Sequence, residues 1–490
     1  MKAQDSTDLT RVGPGTVMGE FMRQYWIPAA LSSELQADGD PMRLMLLGEK
    51  LVAFRDSQGC VGIFDHRCPH RCASLYLGRN EESGIRCVYH GWKFDVRGNC
   101  VDMPNVPARQ EFKDKVHAKA YRTTERNGLV WVYMGRQQES PPPLPNIEAN
   151  LIPGNEIWCL QRECNWLQAL EGDIDTSHVG FLHVGMLKPE DLDDDHPMRP
   201  TVINRAPEYE VRNTDWGTMY GGFRTNDDGQ MSWRVAHFMF PFWTQTPNAR
   251  FSSRAIARAW VPMDDHHSML FDISGGVDEG NPAYVSKRRN GQPLYEKFEY
   301  EPNTNDWHGR WRCRDRAHND WGLDRQSQRD GTQYTGIGNI TIQDQAVTES
   351  MGPITDHDWE HLAPTDQMIA RTRRRLLLAA RAYRDSGELP PGDMRPALSH
   401  PAFKERPDAG LDLPAFLSPF DRAPLTHQVT ERLDPRRAVR LAAPEVEHVQ
   451  PPVRCKPDDE MHRPVAAVLR HRVVARAVHA QLRHVRPRLA

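Results

Sequence analysis

The chain has 490 residues, 39% of them apolar and 26% charged, with a formal net charge of −4. That length suits two or three soluble domains with sizeable cores. The charge gives no reason to expect a nucleic-acid partner, and no run nears the ~18 apolar residues of a membrane span. Met1-Lys2-Ala3-Gln4-Asp5-Ser6 lacks the apolar region of a secretory signal. Nine cysteines, an odd number, point to thiols kept reduced in a cytoplasm.

Residues 1–40 hold a Pro/Gly turn and an apolar stretch, Phe21 to Pro28, expected to pack on a larger downstream domain. From 41 to 138 the pattern is short and β-rich. Arg43 to Leu47, Leu51 to Arg55, Val61 to Phe64 and Gly128 to Met134 read as strands between turn residues. Between them, Cys68-Pro-His70 and Cys87-Val-Tyr-His90 give the spacing C-x-H-x16-C-x2-H. Two His replacing two Cys on one iron of a [2Fe–2S] cluster put neutral ligands in place of anionic ones and raise its potential, as in a Rieske centre. Tetrahedral zinc also accepts two Cys and two His. A zinc finger, however, pairs Cys with Cys and His with His, whereas each loop here supplies one of each.

Ser140-Pro-Pro-Pro-Leu-Pro145 reads as a stiff linker to a second domain over 150–420. There Trp233 to Phe240 is a strand and Thr365 to Asp385 a helix, with Thr365 as N-cap and Gly387 as C-cap. Its Arg371, Arg373, Arg374 and Arg375 are expected to form a solvated face or a subunit contact. Residues 425–490 differ in kind: Met461 to Ala490 holds seven Arg and four His without an acidic residue, which predicts a disordered basic tail.

Within 165–183 stands D-x2-H-x4-H, formed by Asp175, His178 and His183. Asp175 lies one helical turn before His178, near enough to accept a hydrogen bond from that imidazole. Five residues on a regular helix rotate about 140°, so His178 and His183 can face one ion only if the helix bends, breaks or carries a π-type bulge. That distortion is expected between Thr176 and Leu182, with the dihedral freedom of Gly180 absorbing it.

Cys68-Pro-His-Arg-Cys-Ala-Ser-Leu75, Cys87-Val-Tyr-His-Gly-Trp92 and Asn165-Trp-Leu-Gln-Ala169 resemble the Rieske aromatic ring-hydroxylating oxygenases, specifically their phthalate 4,5-dioxygenase-like branch. The resemblance runs from about Arg11 to Asp385. Cys72 departs from it, standing where the family has Gly; it is expected to be a small buried hydrophobe without a ligand role. The resemblance implies an α+β fold, with a Rieske β-domain followed by an antiparallel sheet flanked by helices. Cys68, His70, Cys87 and His90 would hold the [2Fe–2S] cluster. His178, His183 and Asp344, the last from Gln343-Asp344, would hold mononuclear Fe(II), with Glu349 and Asp356 as competitors for the carboxylate. Asp175 would also meet a cluster histidine of a neighbouring subunit, which implies a homo-oligomer, a trimer or hexamer.

Neither G-x-G-x-x-G at a strand-to-helix turn nor plant-type ferredoxin spacing is present, so a separate NAD(P)H-dependent reductase is expected to supply electrons. The expected reaction is hydroxylation of an aromatic, carboxylated substrate with O₂. Arg205 and Arg234 are the candidate carboxylate binders, each also readable as a structural charge. Aryl-ether O-demethylation is the alternative reaction. A pure Rieske electron carrier needs only about 100 residues, which the second His motif and the remaining chain argue against.

Overall fold

The computed structural model describes residues 1–225, 231–247, 255–275 and 287–390, with the backbone of 403–405. The expected basic tail, 425–490, lies outside the described residues.

Two short helices open the chain, α1 (Ala3–Thr10) and α2 (Val17–Met22). Strands β1 (Trp26–Leu31), β2 (Met42–Leu46), β3 (Glu49–Arg55), β4 (Val61–Asp65), β9 (Ala120–Arg126) and β10 (Leu129–Tyr133) make an antiparallel sheet in the order β1-β10-β9-β4-β3-β2. Residues 1–40 are therefore not one unit. α1 pairs its Asp5 and Asp8 with Arg381 far along the chain, whereas β1 is an edge strand of this first sheet. The short strands β5 (Arg79–Asn80), β6 (Ile85–Arg86), β7 (Lys93–Phe94) and β8 (Cys100–Asp102) form a second, four-stranded sheet beside it. Between the two sheets Phe54 meets Phe64 edge-on at 5.3 Å, in a core that also buries Leu75, Ile85, Trp92 and Phe94 around Cys68 and Cys87. Gly62 leaves the room: a Cβ there would stand 2.6 Å from the Phe54 ring.

The proline-rich stretch is bonded to the first sheet. Trp26 Nε1 donates to the Pro142 carbonyl at 2.6 Å and Arg126 to the Pro145 carbonyl at 2.5 Å. Beyond it, α3 (Glu148–Leu151) leads into a larger antiparallel sheet. This contains β11 (Glu156–Arg162), β12 (Glu208–Thr214), β13 (Gly217–Thr225), β14 (Met231–Met239), β15 (Trp243–Gln245), β16 (Ala255–Pro262) and β17 (Ser268–Gly275), in the order β11-β17-β16-β15-β14-β13-β12, with β18 (Phe403–Glu405) paired to β14. Helices α4 (Trp166–Asp173), α5 (Arg199–Ile203), α6 (Arg325–Arg329), α7 (Ile340–Ser350) and α8 (Gln367–Ser386) complete the second part. The architecture is α+β.

α8 corrects two expectations. Its first turn starts at Gln367 with Asp366 at the cap position, preceded by a short 3₁₀ turn over Pro364–Asp366, so Thr365 caps nothing. Gly387 closes the helix in the left-handed conformation, φ +74°. The four arginines do not share a solvated face. Arg373 is buried and grips both oxygens of Glu171, at 2.5 and 2.6 Å, as well as Glu360. Arg375 donates to the Thr214 carbonyl at 2.9 Å; of the four, only Arg371 and Arg374 are exposed.

Candidate metal centres

The two cysteine–histidine loops are built alike. The Cys68 amide donates to the Ala73 carbonyl and the Cys87 amide to the Trp92 carbonyl, both at 2.8 Å. In return the amides of Cys72 and Gly91 donate to the carbonyls of Cys68 and Cys87, both at 2.9 Å. Each knuckle needs a left-handed residue to close, and Cys72 (φ +60°) and Gly91 (φ +80°) supply it. Cys72 is thus the stereochemical counterpart of Gly91, and its thiol is exposed rather than buried. This corrects the expectation of a small core hydrophobe: a left-handed loop tip turns its Cβ to solvent.

Inside the knuckles Cys68 and Cys87 are buried with their thiols in hydrogen-bond reach. Burial pushes the Cys68 thiol up to about 12, so its thiolate needs a cation beside it. The His70 and His90 rings stand 4.3 Å apart at 68°, and His70 stacks on Trp92 at 4.2 Å. His90 Nδ1 is buried without a hydrogen-bond partner among the described residues, as a nitrogen reserved for a metal is.

The second centre starts at α4, whose Asn165 cap accepts the Leu167 amide at 3.1 Å. α4 ends at Asp173. Asp175 then restarts the chain, its Oδ1 accepting the Ser177 amide at 2.6 Å. The expected distortion follows as a π-helical turn over Val179–His183, closed by the Val184 amide on the Val179 carbonyl at 3.2 Å. It brings His178 Nε2 within 3.1 Å of His183 Nε2. Gly180 contributes by size rather than dihedrals, since a Cβ would stand 3.2 Å from that of Arg205 and its φ is not positive.

From α7, far along the chain, Asp344 places Oδ1 3.2 Å from His183 Nε2 and 3.7 Å from His178 Nε2. Each imidazole is oriented from behind. Asp175 Oδ2 lies 3.1 Å from His178 Nδ1, and Gln343 Oε1 lies 2.9 Å from His183 Nδ1. Both acceptors favour the Nδ1–H tautomer and aim the Nε2 lone pairs at the shared centre. Gln343 escaped the sequence reading of function, although its place beside Asp344 on a capped helix was a usable signal. Its amide is fixed in turn by donation to the Ile337 carbonyl at 2.7 Å. Burial pushes the Asp344 carboxyl up, yet His183 and His178 outweigh that and hold it far below the usual carboxylate range. Burial likewise raises Asp175, and the His178 hydrogen bond reverses the sign.

The competitors do not reach this centre. Glu349 accepts the Glu163 amide and the Trp321 indole N–H, at 2.8 and 2.6 Å. Asp356 caps the turn at Asp358 and Trp359. Arg205 donates to the Gly185 and Leu187 carbonyls and covers the Phe181 ring. Arg234 Nε donates to Thr176 Oγ1 at 3.0 Å, and its Nη1 approaches Met198 Sδ at 3.8 Å. Cross-strand pairing of Gly222 with Arg234 places Arg224 on the same face of the sheet. Arg224, which sequence reasoning missed, donates to the Asn204 and Thr176 carbonyls.

Residues 25–119 match the family described as the Rieske [2Fe-2S] domain, and residues 132–403 the family described as LigXa C-terminal domain like. The chain is 50% identical over 395 residues to the 3-chlorobenzoate-3,4-dioxygenase oxygenase subunit of Comamonas testosteroni, covering 79% of this chain and 91% of that protein. It belongs to the Rieske non-heme iron ring-hydroxylating oxygenases. To the phthalate 4,5-dioxygenase oxygenase subunit of Pseudomonas putida this oxygenase is 34% identical over 398 residues, covering 76% and 85% of the two chains. Among solved structures, NdmA of Pseudomonas putida CBB5 shares the fold, with a TM-score of 0.51 at 19% identity over 78% of this chain and 98% of that one. The oxygenase's cofactors are a Rieske [2Fe–2S] cluster and mononuclear iron. No helix among its described residues is long and apolar enough to cross a membrane.

Proposed function

We propose that this oxygenase hydroxylates a carboxylated aromatic ring of the benzoate or phthalate class, drawing electrons from a separate reductase. The observation that carries the reading is Arg234. Its guanidinium is half-buried beside Thr176, two residues before His178, and forms no ion pair with a described residue. A cation drawn partly out of water without a counter-ion is favoured by an anion that arrives to meet it, and a planar fork suits a carboxylate. The names of the two relatives, a chlorobenzoate and a phthalate dioxygenase subunit, point the same way.

In this reading Cys68, His70, Cys87 and His90 hold the cluster, and His178, His183 and Asp344 hold the iron. When bound, the cluster supplies single electrons and the iron activates O₂. The protein's own part is positional. Asp175 and Gln343 accept from Nδ1 of the two imidazoles and keep each Nε2 aimed at the centre, while Arg234 fixes the substrate's carboxylate and so its ring. Asp175 keeps 18% of its side chain exposed, which suits a carboxylate that meets His90 of the partner subunit. Val88 and Tyr89, next to His90, are more than half exposed and give that subunit an apolar rim to cover.

The test supplies the purified enzyme with a reductase, NAD(P)H and O₂, offers it benzoates, phthalates and aryl ethers, and identifies products by mass spectrometry. A hydroxylated or dihydrodiol product from a carboxylated ring is expected. Arg234→Gln should raise KM for that substrate about 10- to 100-fold, the worth of a charge-assisted bond of about 1.5–3 kcal/mol. Conversion of neutral aryl ethers alone, or an unchanged KM in Arg234→Gln, would overturn the reading.

A further inference from the structure

Besides the iron triad, one other group of three metal-ligating side chains converges among the described residues: Asp264, His267 and His308. The first two stand in the turn between β16 and β17, and His308 in the loop 303–311. Asp264 Oδ1 accepts the amides of His266 and His267, each at 2.8 Å. This clamps the carboxylate between the two rings: His267 Nδ1 lies 2.9 Å from Oδ1 and 3.2 Å from Oδ2, and His308 Nε2 lies 2.9 Å from Oδ2. The rings lie 4.0 Å apart and 25° from parallel. All three side chains are partly open, between 24% and 33% exposed, so an ion can enter and a water can complete its shell.

Two imidazole nitrogens and one carboxylate oxygen suit a borderline divalent ion such as Zn²⁺. Bonds of ~2.0–2.2 Å in a tetrahedral shell set neighbouring donors about 3.3–3.5 Å apart. The Oδ2 separations of 2.9 and 3.2 Å need to open by only a few tenths of an ångström, and the stacked rings need to turn about their side-chain torsions so that both lone pairs meet the ion.

The location gives such an ion a task. The turn between β2 and β3 is bonded to the residues just before Asp264, Leu47 N to the Pro262 carbonyl at 3.0 Å and Gly48 N to the Met263 carbonyl at 2.8 Å. On the other side, Arg43 donates to the Asn305 carbonyl at 2.6 Å, and the Trp307 ring packs on His66 and Lys50. Both pieces that carry the ligands therefore rest on the cluster-bearing part of the chain. We propose that Asp264, His267 and His308 bind one divalent cation of the Zn²⁺ class, which staples the β16–β17 turn to the 303–311 loop at the seam between the two parts. The proposal uses neither iron site.

Iron-loaded enzyme is dialysed against micromolar Zn²⁺, its metals are counted by mass spectrometry, and its thermal unfolding is followed. Wild type and His183→Ala should each take up one Zn²⁺ per chain in the seam. His308→Ala and His267→Gln should lack it, and Zn²⁺ should raise the unfolding temperature of wild type but not of these two. The visible absorption of the cluster reports that each variant is folded, and the iron content of His183→Ala tests the triad separately. Equal zinc content in wild type, His308→Ala and His267→Gln, or no zinc taken up by wild type, would overturn the proposal.

Discussion

Cys72 holds a left-handed backbone, φ +60°, that Gly91 meets in the matching knuckle without a Cβ. For an L side chain that conformation costs roughly 1–2 kcal/mol, part of which glycine gives back through its freer unfolded chain. Cys72→Gly should therefore raise stability by up to about 1 kcal/mol, measured by denaturant unfolding, and remove one solvent-reactive thiol. The cluster absorption should not change; its loss would give Cys72 a ligand role that its exposure argues against. Gln343 shows the opposite case, a neutral side chain with a functional load. Gln343→Leu removes the acceptor behind His183, and iron affinity should fall about 10- to 100-fold. Metal analysis after dialysis checks this, with the cluster spectrum as the control. Unchanged iron content would mean that packing alone orients His183.

Among the elements, the π-helical turn over Val179–His183 decides the most. A regular helix separates positions 178 and 183 by about 140°, and the wider turn removes that separation. It is held by neighbours: Arg205 crosses Gly180 on one side, and α7 brings Asp344 and Gln343 to the other. α8 supports the same region from behind through Arg373, which neutralises Glu171 on α4. Removing one partner of a buried pair strands the other charge. Arg373→Met should therefore destabilise by about 3–5 kcal/mol, whereas Arg371→Met, on the exposed face, should cost almost nothing. Equal unfolding midpoints for the two variants would show that the Arg373 pair carries no net stability.

Across the whole molecule, the cluster loop ends in an exposed rim of Val88 and Tyr89, which in the proposed reading a neighbouring copy covers. Tyr89→Asp puts a charge into that rim. It should lower the particle mass seen by light scattering to that of one chain and cut turnover at least tenfold, while the cluster spectrum persists. A monomer with full turnover would show that both centres work within one chain.

The sequence by itself determined what depends on short stretches of chain. The paired Cys and His of the two knuckles and their spacing, the strands around them, the break from regular helix geometry between His178 and His183, and the glycine stop at 387 were all legible. Each rests on local dihedrals, periodicity or side-chain chemistry. Only the tertiary structure decided the rest. It showed that Gln343 backs His183 across 160 residues, that Arg373 is buried against Glu171 rather than solvated, and that Cys72 faces out. It also divided residues 1–40 between two parts of the fold and left Arg234 without a carboxylate among the described residues. A charge pattern along one helix cannot say which arginine meets a buried acid 202 residues away. That choice belongs to long-range packing, where burying an unpaired charge costs more than any local preference provides.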